Sequence, residues 1–186
     1  MDIMINKSSY TVHIDLPIDQ PLDLALTLQS GQAFRWHQHC GKWSGFITGE
    51  LVILERSQNG LTIECNNIAA DNIAAAVYQY FRLDDNLYSV YERFKTDERL
   101  THVIQQHWGL RILRQDPWEC LIAFICSQNS NIARIAKTQE YLANNLGNLV
   151  RMGSIERQHF PTAEVLAAAG EESLRNLSLG YRAKYV

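Results

Sequence analysis

Apolar and polar residues alternate along the first third of the chain, and after Cys65 that alternation gives way to helical spacing. This change of period limits the architecture more than any other feature. A two-residue repeat pleats into strands with one buried face, whereas a 3.6-residue repeat coils. Tyr10, Val12, Ile14 and Leu16 point one way, Leu22, Leu24, Leu26 and Leu28 do the same, and shorter runs follow at 33–37, 43–48, 50–56 and 61–65. The spacing predicts an antiparallel sheet with local connections at Pro17 to Pro21, Ser30-Gly31, His39-Cys40-Gly41, Gly49 and Asn59-Gly60. Asn-Gly is a strong hairpin signal.

Beyond Cys65, Asp71 is expected to cap a helix burying Ile73, Val77, Tyr80 and Phe81. Asp85 is expected to cap one burying Leu87, Tyr91 and Phe94, and a third helix to bury Leu100, Val103 and Ile104. Everything downstream reads as helix and short loop, with Thr162 to Ala169 and Glu171 to Leu177 separated by Gly170. The expected class is therefore α+β: an N-terminal antiparallel β-sheet with flanking helices, followed by an all-α part.

With 186 residues, 46% of them apolar, the chain can bury a sizeable core, and disorder is excluded. Its 17 basic and 20 acidic groups give no overall attraction to a polyanion. Their distribution is uneven. Residues 1–100 carry 8 basic and 13 acidic groups, net −5, while 101–186 carry 9 and 7, net +2, so a polyanion is expected to meet the second half. Cys40, Cys65, Cys120 and Cys126 form no CxxC. Without an apolar leader or a bilayer-spanning run, the reading is an intracellular protein with reduced thiols. His37, His39 and Cys40 lie close together but lack a fourth ligand at zinc-site spacing, so a hairpin loop is expected there and no metal site. No cofactor motif stands out.

The segment DPWECLIAFICSQNSNIARIAK, residues 116–137, is unusual. Asp116-Pro117 starts a helix that should bury Leu121, Ile122, Phe124 and Ile125 and end near Ser127. Asn131 caps a second whose stripe is Ile132, Ile135, Leu142 and Leu146. Gln128, Asn129 and Ser130 fall in the turn between them. Arg134 sits in the first turn of the second helix, where a cation opposes the macrodipole unless an anion is near. A phosphate or base edge would resolve that conflict, since helix N-termini and an arginine fork seat anions; a solvated Arg134 beside a closed turn is the alternative.

This segment, with LTLQSGQAFRW near the start and LSLGYRAKYV at the end, resembles the 8-oxoguanine DNA glycosylase family in the same order and at comparable separations. The resemblance implies a division into an α+β N-terminal domain, 1–113, and the first part of a helical glycosylase domain, 114–186. It implies a double-stranded DNA partner containing 8-oxoguanine opposite cytosine. Asn129 would fill the gap left when the damaged base swings out, Arg134 and Arg182 would hydrogen-bond the orphaned cytosine, and Tyr181 would wedge against its neighbours. The Gly31 carbonyl would accept a hydrogen bond from the N7–H that oxidation creates on guanine, where the normal base has an acceptor.

The family's catalytic lysine and aspartate belong to a helix-hairpin-helix of the form LPGVGxKxA and the region beyond it, and no segment of that form occurs in these 186 residues. Such chemistry needs an amine to attack the sugar and a carboxylate to steady the developing charge. The chain alone is therefore expected not to cut DNA, and no catalytic residue is assigned. Two alternatives stay open: an alkylpurine glycosylase, and a non-catalytic fragment or half of a split protein with a complementary C-terminal chain. The second would expose an apolar face, for example at Leu142, Leu146 and Val165. The compartment would be the cytoplasm or nucleoid of a bacterium, or a nucleus.

Overall fold

The structure, a computed structural model, describes residues 4–8, 11–66 and 70–186. The alternating region forms strands β1 (Met4–Ser8), β2 (Thr11–Pro17), β3 (His37–His39), β4 (Lys42–Ile47), β5 (Glu50–Arg56) and β6 (Gly60–Asn66). They make one antiparallel sheet in the order β1-β2-β6-β5-β4-β3. Tight turns set the register. Cys40-Gly41 and Thr48-Gly49 both have φ near +50° then +82°, the twist a two-residue hairpin requires. Gly60 serves a different end: a Cβ there would lie 1.9 Å from the Leu16 carbonyl oxygen of the neighbouring strand.

Two parts of the alternation do not become strands. Residues 24–28 form a short helix, α1 (Leu24–Leu28), because the Asp23 side chain accepts from Leu26 N at 2.9 Å and caps it. Residues 33–36 run as irregular chain, and the strand starts only at His37. Phe34 and Trp36 consequently serve different cores: Phe34 packs with the helical half, and Trp36 packs on the sheet, close enough to require glycine at position 45. Tyr10 lies outside the described residues.

After the sheet come α2 (Ala70–Tyr80), α3 (Leu87–Phe94) and α4 (Glu98–Gln106). Helix α2 buries Ile73, Val77, Tyr80 and Phe81 against β2, β4 and β6 as the spacing predicts; the side chain of Asp71, its expected cap, lies outside the described residues. The next pair departs from expectation. Asn86, not Asp85, caps α3, accepting from Ser89 N at 3.0 Å. Neither α3 nor α4 buries a residue fully; Phe94, Leu100 and Val103 stay exposed. The apolar stripe is present but only partly covered: Leu87, Tyr91 and Ile104 are half-buried, with the Tyr91 and Trp108 ring centres 4.4 Å apart, while the rest faces solvent.

The second half contains α5 (Pro117–Ser127), α6 (Ile132–Leu146) and α7 (Ala163–Leu174), a π-type turn at Arg175–Leu179 and a closing 3-10 turn at Gly180–Tyr185. Gly170 breaks α7 with φ +76°. Between α6 and α7 lies a hairpin, β7 (Leu149–Met152) with β8 (Ile155–Gln158), which corrects the reading of this region as helix and loop alone. Its strands are too short for alternation to register, yet Met152 covers Leu51 and Ile53 on the far face of the sheet. Strand β5 is thereby buried on both faces.

One core surrounds the sheet and α2, including Leu22, Leu28, Trp43, Leu54, Ile63 and Leu113. Another joins Ile122, Ile135, Leu142, Leu166, Leu174 and Leu179. Leu142 is fully buried, contrary to the expectation that it would be exposed; Val165 is exposed as expected. On α5 the buried residues are Ile122, Ala123 and Cys126, while Leu121 and Phe124 face outward.

Candidate nucleic-acid interface

The site begins with two helix caps set close in sequence. Asp116 accepts from Trp118 N and Glu119 N at 2.8 and 3.1 Å to start α5, and Asn131 accepts from Arg134 N at 2.9 Å to start α6. The chain must reverse between Ser127 and Asn131, and it does so with Asn129 at φ +49°. Asparagine tolerates this left-handed conformation better than most residues. Ser130 N donates to Ser127 O at 3.1 Å, closing the elbow.

The elbow is held by residues more than 50 positions away. Arg182 Nε donates to Gln128 O at 2.8 Å, one terminal nitrogen donates to Asn129 O at 2.9 Å and also to Gln128 O, and the other reaches Leu179 O at 3.4 Å. Tyr181 Oη donates to the same Gln128 carbonyl at 3.3 Å. The Arg182 guanidinium sits 4.7 Å from the centre of the Tyr181 ring. Carbonyls at the end of a helix lack intrahelical donors, and a guanidinium satisfies several at once.

Gly31 approaches from the sheet side. Its φ is +83°, and a Cβ there would lie 2.9 Å from Ile132 Cδ1 at the start of α6. Ile132 is thus not part of the buried α6 stripe, being 61% exposed, but a surface on which the glycine loop rests. The loop is pinned by Gln32, whose Nε2 donates to Ser30 Oγ and Arg111 O at 2.9 Å each, and whose Oε1 accepts from Leu113 N at 3.0 Å.

The structure therefore brings all five anticipated residues around one helix start. Asn129, Arg134 and Tyr181 are exposed, Gly31 is half-buried, and Arg182 is 4% exposed with most of its donors committed to the elbow. The Arg134 side chain makes no hydrogen bond or ion pair among the described residues.

Behind this face is a charged cluster that the sequence does not announce. Arg35 is buried, donates to Gln158 O at 2.5 Å, and lies 3.7 Å from Glu119 and 3.6 Å from Glu140. Arg157 donates to Arg35 O at 3.1 Å and Glu140 at 3.2 Å, and His37 meets Glu140 at 2.9 Å. Burial pushes the Glu119 carboxyl above its ordinary value against the pull of Arg35. Burial acts the same way on Glu140, but the His37 hydrogen bond and the charges of Arg35 and Arg157 outweigh it and hold that carboxyl low. The cluster joins the residue 35–37 segment to α5, α6 and β8, and so sets the position of the glycine loop against the elbow. No local pattern marks Arg157 or Glu140 for this role; only the SGQAFRW run pointed near it.

Residues 14–121 match the model of the 8-oxoguanine DNA glycosylase N-terminal domain. The N-glycosylase/DNA lyase of Saccharomyces cerevisiae is 37% identical over 89% of this chain and 48% of its own length. The N-glycosylase/DNA lyase OGG1 of Arabidopsis thaliana is 35% identical over 89% and 47%. The chain spans about half the length of these curated relatives. The Clostridium acetobutylicum 8-oxoguanine glycosylase/lyase, solved with double-stranded DNA containing cytosine opposite 8-oxoguanine, superimposes with a TM-score of 0.83 at 28% identity, covering 100% of this chain and 63% of that one. On the domain match, the chain belongs to the 8-oxoguanine DNA glycosylase family.

Proposed function

We propose that this chain recognises duplex DNA carrying 8-oxoguanine opposite cytosine, and supplies the lesion- and cytosine-reading part of base excision by an N-glycosylase and abasic-site lyase. The observation that carries the reading is the elbow at Gln128–Ser130, ringed by Gly31, Asn129, Arg134 and Tyr181 and braced by Arg182. In this reading Asn129 occupies the gap left by the extruded base, and Tyr181 wedges beside it. Arg134 donates to the O2 and N3 acceptors of the orphaned cytosine, and Arg182 joins it by exchanging part of its hold on the elbow. The Gly31 carbonyl accepts from the N7–H of the oxidised base. The division into domains at 1–113 and 114–186 is supported by the two separate cores.

The chain alone binds and does not cleave. A Schiff-base lysine needs desolvation to lose its proton near neutrality, and none of Lys42, Lys95, Lys137 and Lys184 is buried. Lys42 is held in its charged form by the hydrogen bond to Glu64. The thiol of Cys126, below the elbow, is pushed up to about 11 by burial.

Fluorescence anisotropy with matched 8-oxoguanine:cytosine and guanine:cytosine duplexes tests recognition: a preference for the lesion duplex that Asn129→Ala and Arg134→Ala both remove is expected, and equal affinity for the two duplexes overturns the reading. Borohydride in the same mixture should trap no covalent adduct. A trapped adduct would show that some amine of the chain serves as nucleophile and would overturn the reading.

A second reading, that a complementary polypeptide completes the molecule, is favoured by exposed apolar groups on α3 and α4 and at Phe124 and Ile132, the latter two 75% and 61% exposed. A monodisperse monomer in sedimentation, with no binding of a hydrophobic dye, would remove it.

A further inference from the structure

Surface cations in this protein are generally neutralised within the chain. Lys42, Arg82, Lys95, Arg99, Arg114, Arg151 and Arg175 each pair with a carboxylate, and Arg56 donates to the Gly60 carbonyl at 2.6 Å. Among the described side chains, Arg93, Arg134, Lys137 and Lys184 are the exposed cations with neither kind of partner. Three of these four lie on α6 and the closing turn, next to the elbow. The chain's acids outnumber its bases, so this arrangement follows from where the carboxylates point. Glu140, the acid of α6, turns inward to Arg35, Arg157 and His37, so the outward strip of that helix carries positive charge alone.

From this we infer that Lys137 and Lys184 are phosphate-binding residues that grip the DNA backbone on either side of the elbow; the inference rests on the DNA-recognition reading above and extends it to groups outside the orphaned-base site. Arg134, Lys137 and Tyr141 follow one another at three- and four-residue intervals, on one strip of the helix. Arg134 and Lys137 are separated by about 4.5 Å of helix rise, so Lys137 stands one step along the strip from the arginine that meets the orphaned base, where the adjoining backbone passes. The Lys137 ammonium stands 5.3 Å from the centre of the Tyr141 ring, and that of Lys184 stands 4.7 Å from the Tyr185 ring. Each ring presents the cation beside an apolar plate that a deoxyribose can cover, and neither lysine has an acid to release before it meets a phosphate. The contacts are independent of sequence and of damage, since phosphates carry no base information.

Salt dependence of binding by the full 186-residue chain separates this proposal from the recognition reading. Affinities for the 8-oxoguanine:cytosine and guanine:cytosine duplexes are measured from about 50 to about 200 mM salt for the parent chain, Lys137→Ala, Lys184→Ala, the double variant and Lys137→Arg. Each lost phosphate contact lowers the slope of log affinity against log salt by about 0.9. Each alanine variant is expected to lose that amount, the double variant about twice as much, and Lys137→Arg nothing, with the lesion preference unchanged in all. Across that range each alanine variant then loses about threefold less affinity than the parent. Slopes identical to the parent's, with lesion preference intact, overturn the lysine proposal and leave recognition standing. Reduced slopes without any lesion preference support the backbone grip and overturn recognition. Absence of binding to either duplex overturns both.

Discussion

Arg111 and Arg182 are two buried arginines that solve the same problem in different places. Arg111 is 2% exposed and donates to the carbonyls of Pro21, Arg82 and Asp85, locking the 109–113 segment into the sheet-side core. Arg182 is 4% exposed and donates to the carbonyls of Gln128, Asn129 and Leu179. Both guanidiniums tie together chain segments that have run out of regular partners. Their surroundings differ. Around Arg111 the outward charges of the tied segments are paired within the chain, Arg82 with Asp85 and Arg114 with Asp84, whereas Arg182 holds an elbow whose amide and neighbouring Arg134 project into solvent without such partners. A buried cation by itself thus marks architecture, and it becomes part of an interface only when what it braces is left exposed and unpaired.

The largest effect should come from Arg111→Met. Three carbonyls lose their donors around a side chain only 2% exposed, and a drop of about 3–5 kcal/mol in unfolding free energy is expected in urea titration. An unchanged midpoint would mean that Arg111 braces nothing. Arg182→Met should cost less, about 1–2 kcal/mol, because water can reach the elbow, yet it should weaken lesion-duplex binding at least tenfold. Equal loss of stability in the two variants would erase the contrast. Arg182→Lys should restore neither property fully, since an ammonium lacks the planar fork that meets Gln128 and Asn129 together.

Glu140 sharpens the comparison from the side of charge. Its carboxyl is held low in the folded chain, so its stabilising contribution is present above the unfolded carboxylate value and is lost as pH falls through the lower folded value. Urea midpoints taken from about pH 7 down to about pH 3 should therefore fall less steeply in Glu140→Gln than in the parent. A parallel acid limb would show that the ion cluster does not couple the glycine loop to α6. The smallest stability effect belongs to Asn129→Gly. Glycine accepts φ +49° without strain, so the midpoint should stay within about 0.5 kcal/mol while lesion preference disappears, separating the shape of the elbow from the chemistry of its amide.

Some parts of the molecule could be read directly from the residues. The Cys40-Gly41 and Gly49 turns, the Asp116 and Asn131 caps and the break at Gly170 each depend on hydrogen bonds and dihedral preferences within a few positions. Asn59-Gly60 marked a turn, but Gly60 already belongs to β6 and neither residue takes the positive φ of an Asn-Gly hairpin. Alternation misled at Leu22 to Leu28, where a capping aspartate outweighed a two-residue repeat. The helical stripe at Leu100 and Val103 was real, but a stripe says which face is apolar and not whether anything lies against it.

The amino-acid order alone determined the passage from sheet to helices, the positions of the turns and the three motifs that carry the family likeness, because these are properties of neighbouring residues. Tertiary structure decided that the start of α6 would receive Gly31 on one side and Tyr181 and Arg182 on the other. It also decided that Arg35, Glu119, Glu140 and Arg157 would meet behind it. Contacts of this kind join groups tens of residues apart. Their geometry is set by how two cores and a charged seam pack together, and no local pattern of side chains encodes that fit.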